Sequence, residues 1–449
     1  MTELQALRSG ARAGARRLDL SADLSELPAE VFDLADTLEV LNLSGNRLRT
    51  LPAGMARLRR LKVLFCSDNL FEELPAVLGA CPQLEMIGFK ACRIRHVPAE
   101  ALPPRLRWLI LTDNRIEQLP DSLGRCTRIQ KLMLAGNQLR TLPDLSGCEQ
   151  LELLRLSANR FDELPASLLQ LPRLSWLGLA GNALPGLLAP PPPPTLAPIA
   201  WSALTLQERL GAGASGVIHR ALWQRPDQPQ QPAQPVALKL FHSAMTSDGL
   251  PDSELQACLA AAGHAGLIPV EGVLQQHPEG RLGLVLALLD PAFRALAGPP
   301  SLDSCSRDVY AAPLQLPLAA ALALARQVAA IAAHLHARGL LHGDLYGHNL
   351  LWNGDRQAPQ ALLSDFGAAT IYQPEAPAAA ALQRIEVRAF GCLLEELIEQ
   401  SLPAGSSEAA ALRSGLIRLR DACLQPQVAK RPDFASLAQQ LAALSAPAA

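Results

Sequence analysis

Five short stretches of the chain carry residue types suited to phosphate chemistry. Gly211-Ala212-Gly213-Ala214-Ser215-Gly216 is a GxGxxG run, and glycines without Cβ atoms let backbone amides approach a phosphate closely. Lys239 lies inside the apolar run Val236–Phe241, where an unpaired ammonium is costly and calls for an acidic partner. Glu254, on the helix-like run Ser253–Ala262, is the candidate, with Glu271 the other acid in reach. Asp344 and Asn349 stand five residues apart, and Asp365 opens Asp365-Phe366-Gly367.

GxGxxG alone is shared with dinucleotide-binding folds, which need a helix directly after the glycines and an acid about 20 residues on. Here Val217–Leu222 reads as a strand, a Gln/Pro-rich loop (224–235) follows, and Val236-Ala237-Leu238-Lys239 begins a second strand. A glycine-rich hairpin leading to V-A-x-K resembles the opening of the protein kinase family. His342-Gly343-Asp344-Leu345-Tyr346-Gly347-His348-Asn349 and Ser364-Asp365-Phe366-Gly367 then resemble its catalytic loop and its magnesium-binding motif.

The resemblance implies ATP and Mg²⁺ as cofactors. Gly211, Gly213 and Gly216 would cover the phosphates and Lys239, paired with Glu254, would hold them. Ile218, Ala237 and Leu351 would enclose the adenine, with Leu286 as gatekeeper on the strand Leu282–Leu289. Asp344 would orient the substrate hydroxyl and accept its proton, and Asn349 and Asp365 would bind magnesium.

The chain departs from the family at two positions of the catalytic loop. Gly343 stands where the family has an arginine that reads a phosphorylated activation loop, and Tyr346 where serine/threonine kinases have a lysine for the γ-phosphate. His348 is a nearby cation that would compensate. The activation segment is short, with 20 residues between Asp365 and Glu386, where Glu386–Gly391 resembles the F-helix. Pro374-Glu375 takes the place of the family's Pro-Glu pair, so Glu375 is expected to meet Arg431 of Lys430-Arg431-Pro432. The missing arginine and the short loop agree with each other. They imply an ATP site that is constitutively assembled or controlled by the repeats, and not switched by loop phosphorylation at Thr370 or Tyr372.

The elements ahead of these motifs follow another pattern. Leu38–Leu48 fits LxxLxLxxNxL, and the Asn slot recurs every 22 or 23 residues at Asn46, Asn69, Cys92, Asn114, Asn137, Asn159 and Asn182. Such a unit is a strand, a turn and a return segment that buries its leucines only by stacking on its neighbours. It resembles the leucine-rich repeat family, with Leu18–Pro28 as a shortened N-terminal copy. Cys81, Cys126 and Cys148 share a slot filled elsewhere by Leu58 and Leu171, so they read as core positions. The alternate strand residues, including Asn42, Lys62, Phe65, Lys90, Ile110, Lys131, Met133, Arg155 and Trp176, are expected on an exposed concave face that binds a protein substrate or regulator.

Bulk properties fit this organisation. The chain has 449 residues, more than one core usually holds, and is 49% hydrophobic and 18% charged. A net charge of −2 without a dense basic run gives no nucleic-acid surface. The longest apolar stretch, Leu314–Leu341, is interrupted by Arg326, Gln327, His334, His336 and Arg338, which points to a buried helix and no membrane span. Nine cysteines without a CxxC pair, and no signal peptide, fit a reducing cytoplasmic location.

The expected architecture is an α/β leucine-rich-repeat solenoid over 14–188, a proline-rich linker over 189–200, and an α+β two-lobed kinase-like domain over 201–445. Its N-lobe would span about 201–289 and its C-lobe about 290–445. The expected function is a protein serine/threonine kinase. The alternatives are a pseudokinase scaffold or a small-molecule phosphotransferase, since His-Gly-Asp also occurs in the aminoglycoside-type enzymes.

Overall fold

The computed structural model describes residues 1–191, 196–213, 215–242 and 245–445. Of the proline run, Pro192–Pro194 lie outside the described residues, as does Ala214. The chain divides into two compact units. One is Met1–Leu174 with Asn182–Leu184, and the other is Ser175–Gly181 with Pro185–Ala449.

The first unit opens with helix α1 (Glu3–Arg8), closed by a reciprocal Thr2–Gln5 capping box. Seven short strands follow: β1 (Arg17–Asp19), β2 (Val40–Asn42), β3 (Val63–Phe65), β4 (Met86–Gly88), β5 (Trp108–Ile110), β6 (Lys131–Met133) and β7 (Leu153–Arg155). They pair in parallel and in sequence order. The register aligns Leu18, Leu41, Leu64, Ile87, Leu109, Leu132 and Leu154, all fully buried, so each repeat sets one apolar side chain on the next.

The recurring asparagines hold the turns after the strands. Asn159 donates from Nδ2 to the Leu134 and Leu156 carbonyls, both at 2.9 Å, and accepts the Leu139 amide at 3.1 Å. One side chain thereby satisfies backbone groups that a turn inside the stack would leave unpaired. Asn69, Asn114 and Asn137 repeat the pattern, while Cys92 contacts the Cys66 and Lys90 carbonyls through Sγ at 3.4 and 3.7 Å. The residue before each of these slots has positive φ: Asp68, Ala91, Asp113, Gly136 and Ala158. Burial pushes the thiols of Cys81 and Cys148 up to about 11 and about 12, so they remain neutral core groups.

On the strand face, Glu39 binds Arg16 and Lys62, and Glu85 binds Arg105 and Arg107 across neighbouring strands. Asn42, Phe65, Lys90 and Ile110 are partly exposed and Lys62 is exposed. The strip is not open along its whole length, because Lys131, Met133, Arg155 and Trp176 are buried. Lys131 lies over the Trp108 ring, its Nζ 4.6 Å from the centroid, and Trp108 donates to the Met133 sulfur at 3.4 Å.

The second unit begins with strand β8 (Trp176–Gly178) and continues through β9 (Pro198–Ala200) into a mixed sheet. β10 (Leu204–Ala212), β11 (Gly216–Trp223), β12 (Gln234–Phe241), β14 (Gly283–Ala287), β13 (Val270–Gln275) and β9 lie side by side in that order. The core beneath β11 and β12 contains Ala221, Val236, Leu238 and Val285. Helix α2 (Pro251–Ala261) crosses it and buries Leu255 against Phe241 and Leu284.

A helical half follows, with α3 (Leu318–Ala337), α4 (Ala379–Glu399), α5 (Ser407–Cys423) and α6 (Phe434–Ala443). Between the helices run β15 (Arg294–Ala295), β17 (Leu350–Trp352) and β18 (Ala361–Leu363) in one small sheet, and β16 (Leu340–Leu341) with β19 (Thr370–Ile371) in another.

Among the described residues α3 alone is long and apolar enough to cross a membrane. Its polar residues nevertheless have partners in the same unit. Arg326 donates to the Leu441, Ala442 and Leu444 carbonyls, Gln327 to Pro359, and His334 and His336 meet the Ala261 carbonyl and Glu386. That is the pattern of a core helix.

Two adjacent substitutions separate side-chain satisfaction from backbone strain. Asn159→Ala should destabilise the chain by about 1–3 kcal/mol, because buried carbonyls and an amide lose their partner. Ala158→Gly, one residue earlier, should be neutral or stabilise by about 0.5 kcal/mol, because its φ of +53° favours glycine. The urea midpoints of the two variants, read against wild type, check both signs.

Candidate active site

The glycine-rich turn joins β10 to β11, with Gly211 opposite Ile218 and the Gly213 amide on the Gly216 carbonyl at 2.9 Å. The three glycines are not equivalent. A Cβ on Gly216 would come within 2.4 Å of the Leu240 carbonyl, so the sheet itself requires that glycine. Gly211 and Gly213 border open space, where a Cβ would meet nothing within 4 Å. That is the room a phosphate needs to reach the backbone.

β12 carries Lys239 next to this turn, and α2 brings Glu254 to it, so that the two form a buried ion pair. Burial pushes the Lys239 ammonium down, but the charges of Glu254 and Asp365 outweigh it and hold its pKa above the usual lysine value. Burial, with Asp365 close by, holds the Glu254 carboxyl above its usual range against the pull of Lys239. Glu271 lies on β13 and is only partly buried, and no ion pair joins it to Lys239 among the described residues.

A cavity of about 450 Å³ opens beside the pair, walled by Ile218, Ala237, Leu286 and Leu351 together with residues 287–290. Its apolar walls suit a flat aromatic ring. A smaller cavity of about 100 Å³ behind Leu286 is lined by Lys239, Glu254, Cys258, Asp365 and Phe366. Leu286 lines both, as do Ile218 and Ile268.

The loop after β16 carries Asp344. Asn349 donates its Nδ2 to both the Asp344 carboxylate and the Asp344 carbonyl at 2.8 Å, so that its amide oxygen could serve a cation. The Asn349 carbonyl accepts the amide and the hydroxyl of Ser364 at 2.9 Å, which ties this loop to Asp365. His342 contacts the Ser364 carbonyl at 2.9 Å and meets the Phe366 ring edge-on at 4.9 Å. Asp365 is exposed with φ +57°, and its carboxylate accepts the Gly367 amide at 3.1 Å. The hard oxygens of Asn349 and Asp365 beside a glycine turn fit Mg²⁺ carried by a polyphosphate, which needs few protein ligands.

The loop is held from below by Glu386 on α4, which is buried. Its two carboxylate oxygens accept the Gly343 amide at 2.7 Å and meet His336 Nε2 at 2.7 Å. Burial pushes this carboxyl up, but His336, His342 and the Gly343 amide outweigh it and hold it below the usual range.

A second buried acid, Asp308, accepts the His348 amide at 2.9 Å and contacts His348 Nδ1 at 2.7 Å. Burial pushes the His348 imidazole down, but the hydrogen bond and charge of Asp308, with Asp344 and Asp365 beyond, hold its pKa above the usual value. Neither acid advertised itself in the sequence. The one available signal for Glu386 was a carboxylate amid the apolar residues of a long helix.

The expected ion pair between Glu375 and Arg431 is not found among the described residues. Glu375 is exposed, whereas Arg431 is buried and donates to the Gln425 and Arg384 carbonyls at 2.8 and 3.2 Å. Backbone oxygens take the guanidinium's hydrogens here, and burial pushes its pKa down to about 10. Thr370 and Tyr372 are buried. The Tyr372 hydroxyl donates to the His336 carbonyl at 3.2 Å and accepts from Gln383 at 2.7 Å.

With this geometry in view, the comparisons with known proteins identify two kinds of domain in the chain. Residues 204–389 match the model for protein tyrosine and serine/threonine kinase, and residues 37–58 and 104–161 match models for leucine-rich repeats. The chain joins leucine-rich repeats to a protein kinase domain. It is similar to mitogen-activated protein kinase kinase kinase 11 of Rattus norvegicus, 26% identical over 304 residues that cover 57% of this chain and 32% of that protein. The Homo sapiens protein of the same name is 25% identical, with 57% and 33% covered. The chain therefore spans about a third of the length of these relatives.

Glu396 is a further buried acid in the kinase domain. It accepts the Tyr310 hydroxyl at 3.1 Å, and burial and nearby Asp308 push its carboxyl up to about 7. A raised folded-state pKa stabilises the protein below the unfolded value near 4.3, and that contribution is lost as pH rises through 7. Glu396→Gln should therefore raise the melting temperature much more at pH 8 than at pH 5. The difference between the two pH values should be on the order of 2 kcal/mol in stability, read by thermal melts at both.

Proposed function

We propose that the protein is an ATP-dependent protein kinase that transfers the γ-phosphate to a serine or threonine hydroxyl, with the repeats binding its substrate or a regulator. The reading is supported by the Lys239–Glu254 pair and Asp365 lining one cavity next to an apolar slot, with the Asp344–Asn349 loop bonded to Ser364, the neighbour of Asp365.

In this reading Lys239 holds the phosphates while Glu254 keeps its ammonium in place. Asn349 and Asp365 would hold Mg²⁺, which would supply positive charge to the transferring group. The Asp344 carboxylate, steadied by Asn349, accepts the proton of the attacking hydroxyl. The hydroxyl oxygen then bonds to the γ-phosphorus as the bond to the β-phosphate oxygen breaks, releasing ADP.

The relatives bear the name of a kinase that acts within a chain of protein kinases, which supports a protein hydroxyl as acceptor. Asn42, Lys62, Phe65, Lys90 and Ile110 form the solvent-facing part of the repeats' strand face, a mixed basic and apolar surface suited to a protein. The nine cysteines, with no disulfide among the described residues, fit a reducing cytoplasmic setting.

Radiolabelled ATP incubated with the full chain and generic protein substrates tests the reading. Wild type should label a protein on serine or threonine, and Lys239→Met and Asp344→Asn should each lose about a hundredfold or more in rate. Labelling that survives both substitutions, or transfer only to a small molecule, would overturn it. Nucleotide binding without any transfer would make the protein a scaffold.

A further inference from the structure

The two departures in the catalytic loop, Gly343 and Tyr346, both lie against the same segment of the second unit, Ser175–Gly181. Trp176 is 1% exposed. Its indole stacks face to face on the Tyr346 ring, with centroids 4.1 Å apart and planes 6° from parallel. Its Nε1 donates to the Leu345 carbonyl at 3.0 Å. The Arg307 guanidinium lies 5.5 Å from the centroid of the same indole. Trp176 therefore grips the backbone one residue beyond Asp344 and the side chain two residues beyond it.

Gly343 shows the same dependence on the segment. With φ +73°, its Cβ would sit 2.8 Å from the Leu177 carbonyl and 2.6 Å from the Ala368 carbonyl. No side chain fits between catalytic loop and segment at that position, so an arginine there is incompatible with this arrangement. On one side of Trp176, Arg388 of α4 donates to the Ser175 hydroxyl at 2.7 Å, two residues from the Glu386 that holds Gly343. On the other, the Leu179 amide donates to the Thr370 hydroxyl at 3.0 Å. Farther along, the Gln373 amide donates to the Leu187 carbonyl at 2.8 Å, and the Ala189 amide to the Ile371 carbonyl at 3.2 Å. The segment and its continuation thus fasten both the catalytic loop and the activation segment.

We propose that Trp176 is a positioning residue for phosphoryl transfer. The strand Trp176–Gly178 clamps the catalytic loop in its working geometry, in place of an arginine anchored to a phosphorylated loop. The clamp rests on the kinase reading above. It makes the residues ahead of the glycine-rich hairpin part of the catalytic apparatus, and it explains why Tyr346 replaces a lysine: an aromatic ring is the partner that an indole needs for stacking.

The test uses the full-length chain with Trp176→Phe, which keeps a stacking ring and removes the Nε1 donor, and Trp176→Ala, which removes both. Melting temperature and ATP-analogue affinity are measured beside steady-state kinetics and amide hydrogen exchange. Trp176→Phe should lower kcat roughly three- to tenfold with the KM for ATP within about twofold, and Trp176→Ala should lower kcat further. In both, amide exchange across 343–349 should quicken while that of β11 and β12 stays as in wild type. An unchanged or raised kcat, or unchanged exchange across 343–349, would overturn the clamp. If Trp176→Ala fails to fold, Trp176→Phe decides alone. If wild type shows no transfer at all, the kinase reading fails, and the exchange data still decide whether Trp176 holds the loop.

Discussion

The kinase domain depends on one buried carboxylate. Glu386 accepts the Gly343 amide with one oxygen and meets His336 with the other, both at 2.7 Å. A fully buried acid on an apolar helix is tolerated only with such partners. Satisfying Glu386 therefore fixes three things together: the rotation of α4, the end of α3 and the backbone just before Asp344. Removing either partner would leave an uncompensated buried charge. This gives the catalytic loop a single position relative to the helical core.

From that anchor the arrangement spreads outward through short hydrogen bonds. Asp344 is tied to Asn349, Asn349 to Ser364, and Ser364 to His342. Asp365 follows Ser364 and reaches the Lys239–Glu254 pair electrostatically. Asp308 secures His348 from another element. None of these links requires a phosphate. The buried state of Thr370 and Tyr372 agrees, because hydroxyls engaged inside a packed segment are not presented to a modifying enzyme.

Much of this was legible in the residues. The repeats announce themselves by a fixed spacing, and the Asn slot works through contacts that each repeat renews one period away. Lys239, Asp344, Asn349 and Asp365 sit in short local words whose order carries the signal. What stayed hidden acts across long sequence separations. Glu386 binds Gly343 from 43 residues away, Asp308 binds His348 from 40, and Trp176 reaches Leu345 from 169. Trp176 has the strand spacing of an exposed repeat residue, and only packing reveals it as buried. The expected Glu375–Arg431 pair is not found among the described residues, where backbone carbonyls already supply acceptors to Arg431.

The central claim is that the catalytic site is complete without a phosphate on its activation segment. The most direct measurement is the initial rate of phosphoryl transfer by full-length protein that has been treated with phosphatase, then freed of it and shown by mass spectrometry to carry no phosphate. The account predicts transfer at full rate from the first turnovers, with no lag and no phosphate appearing at Thr370 or Tyr372. A protein that stays silent until one of those hydroxyls is phosphorylated would contradict it.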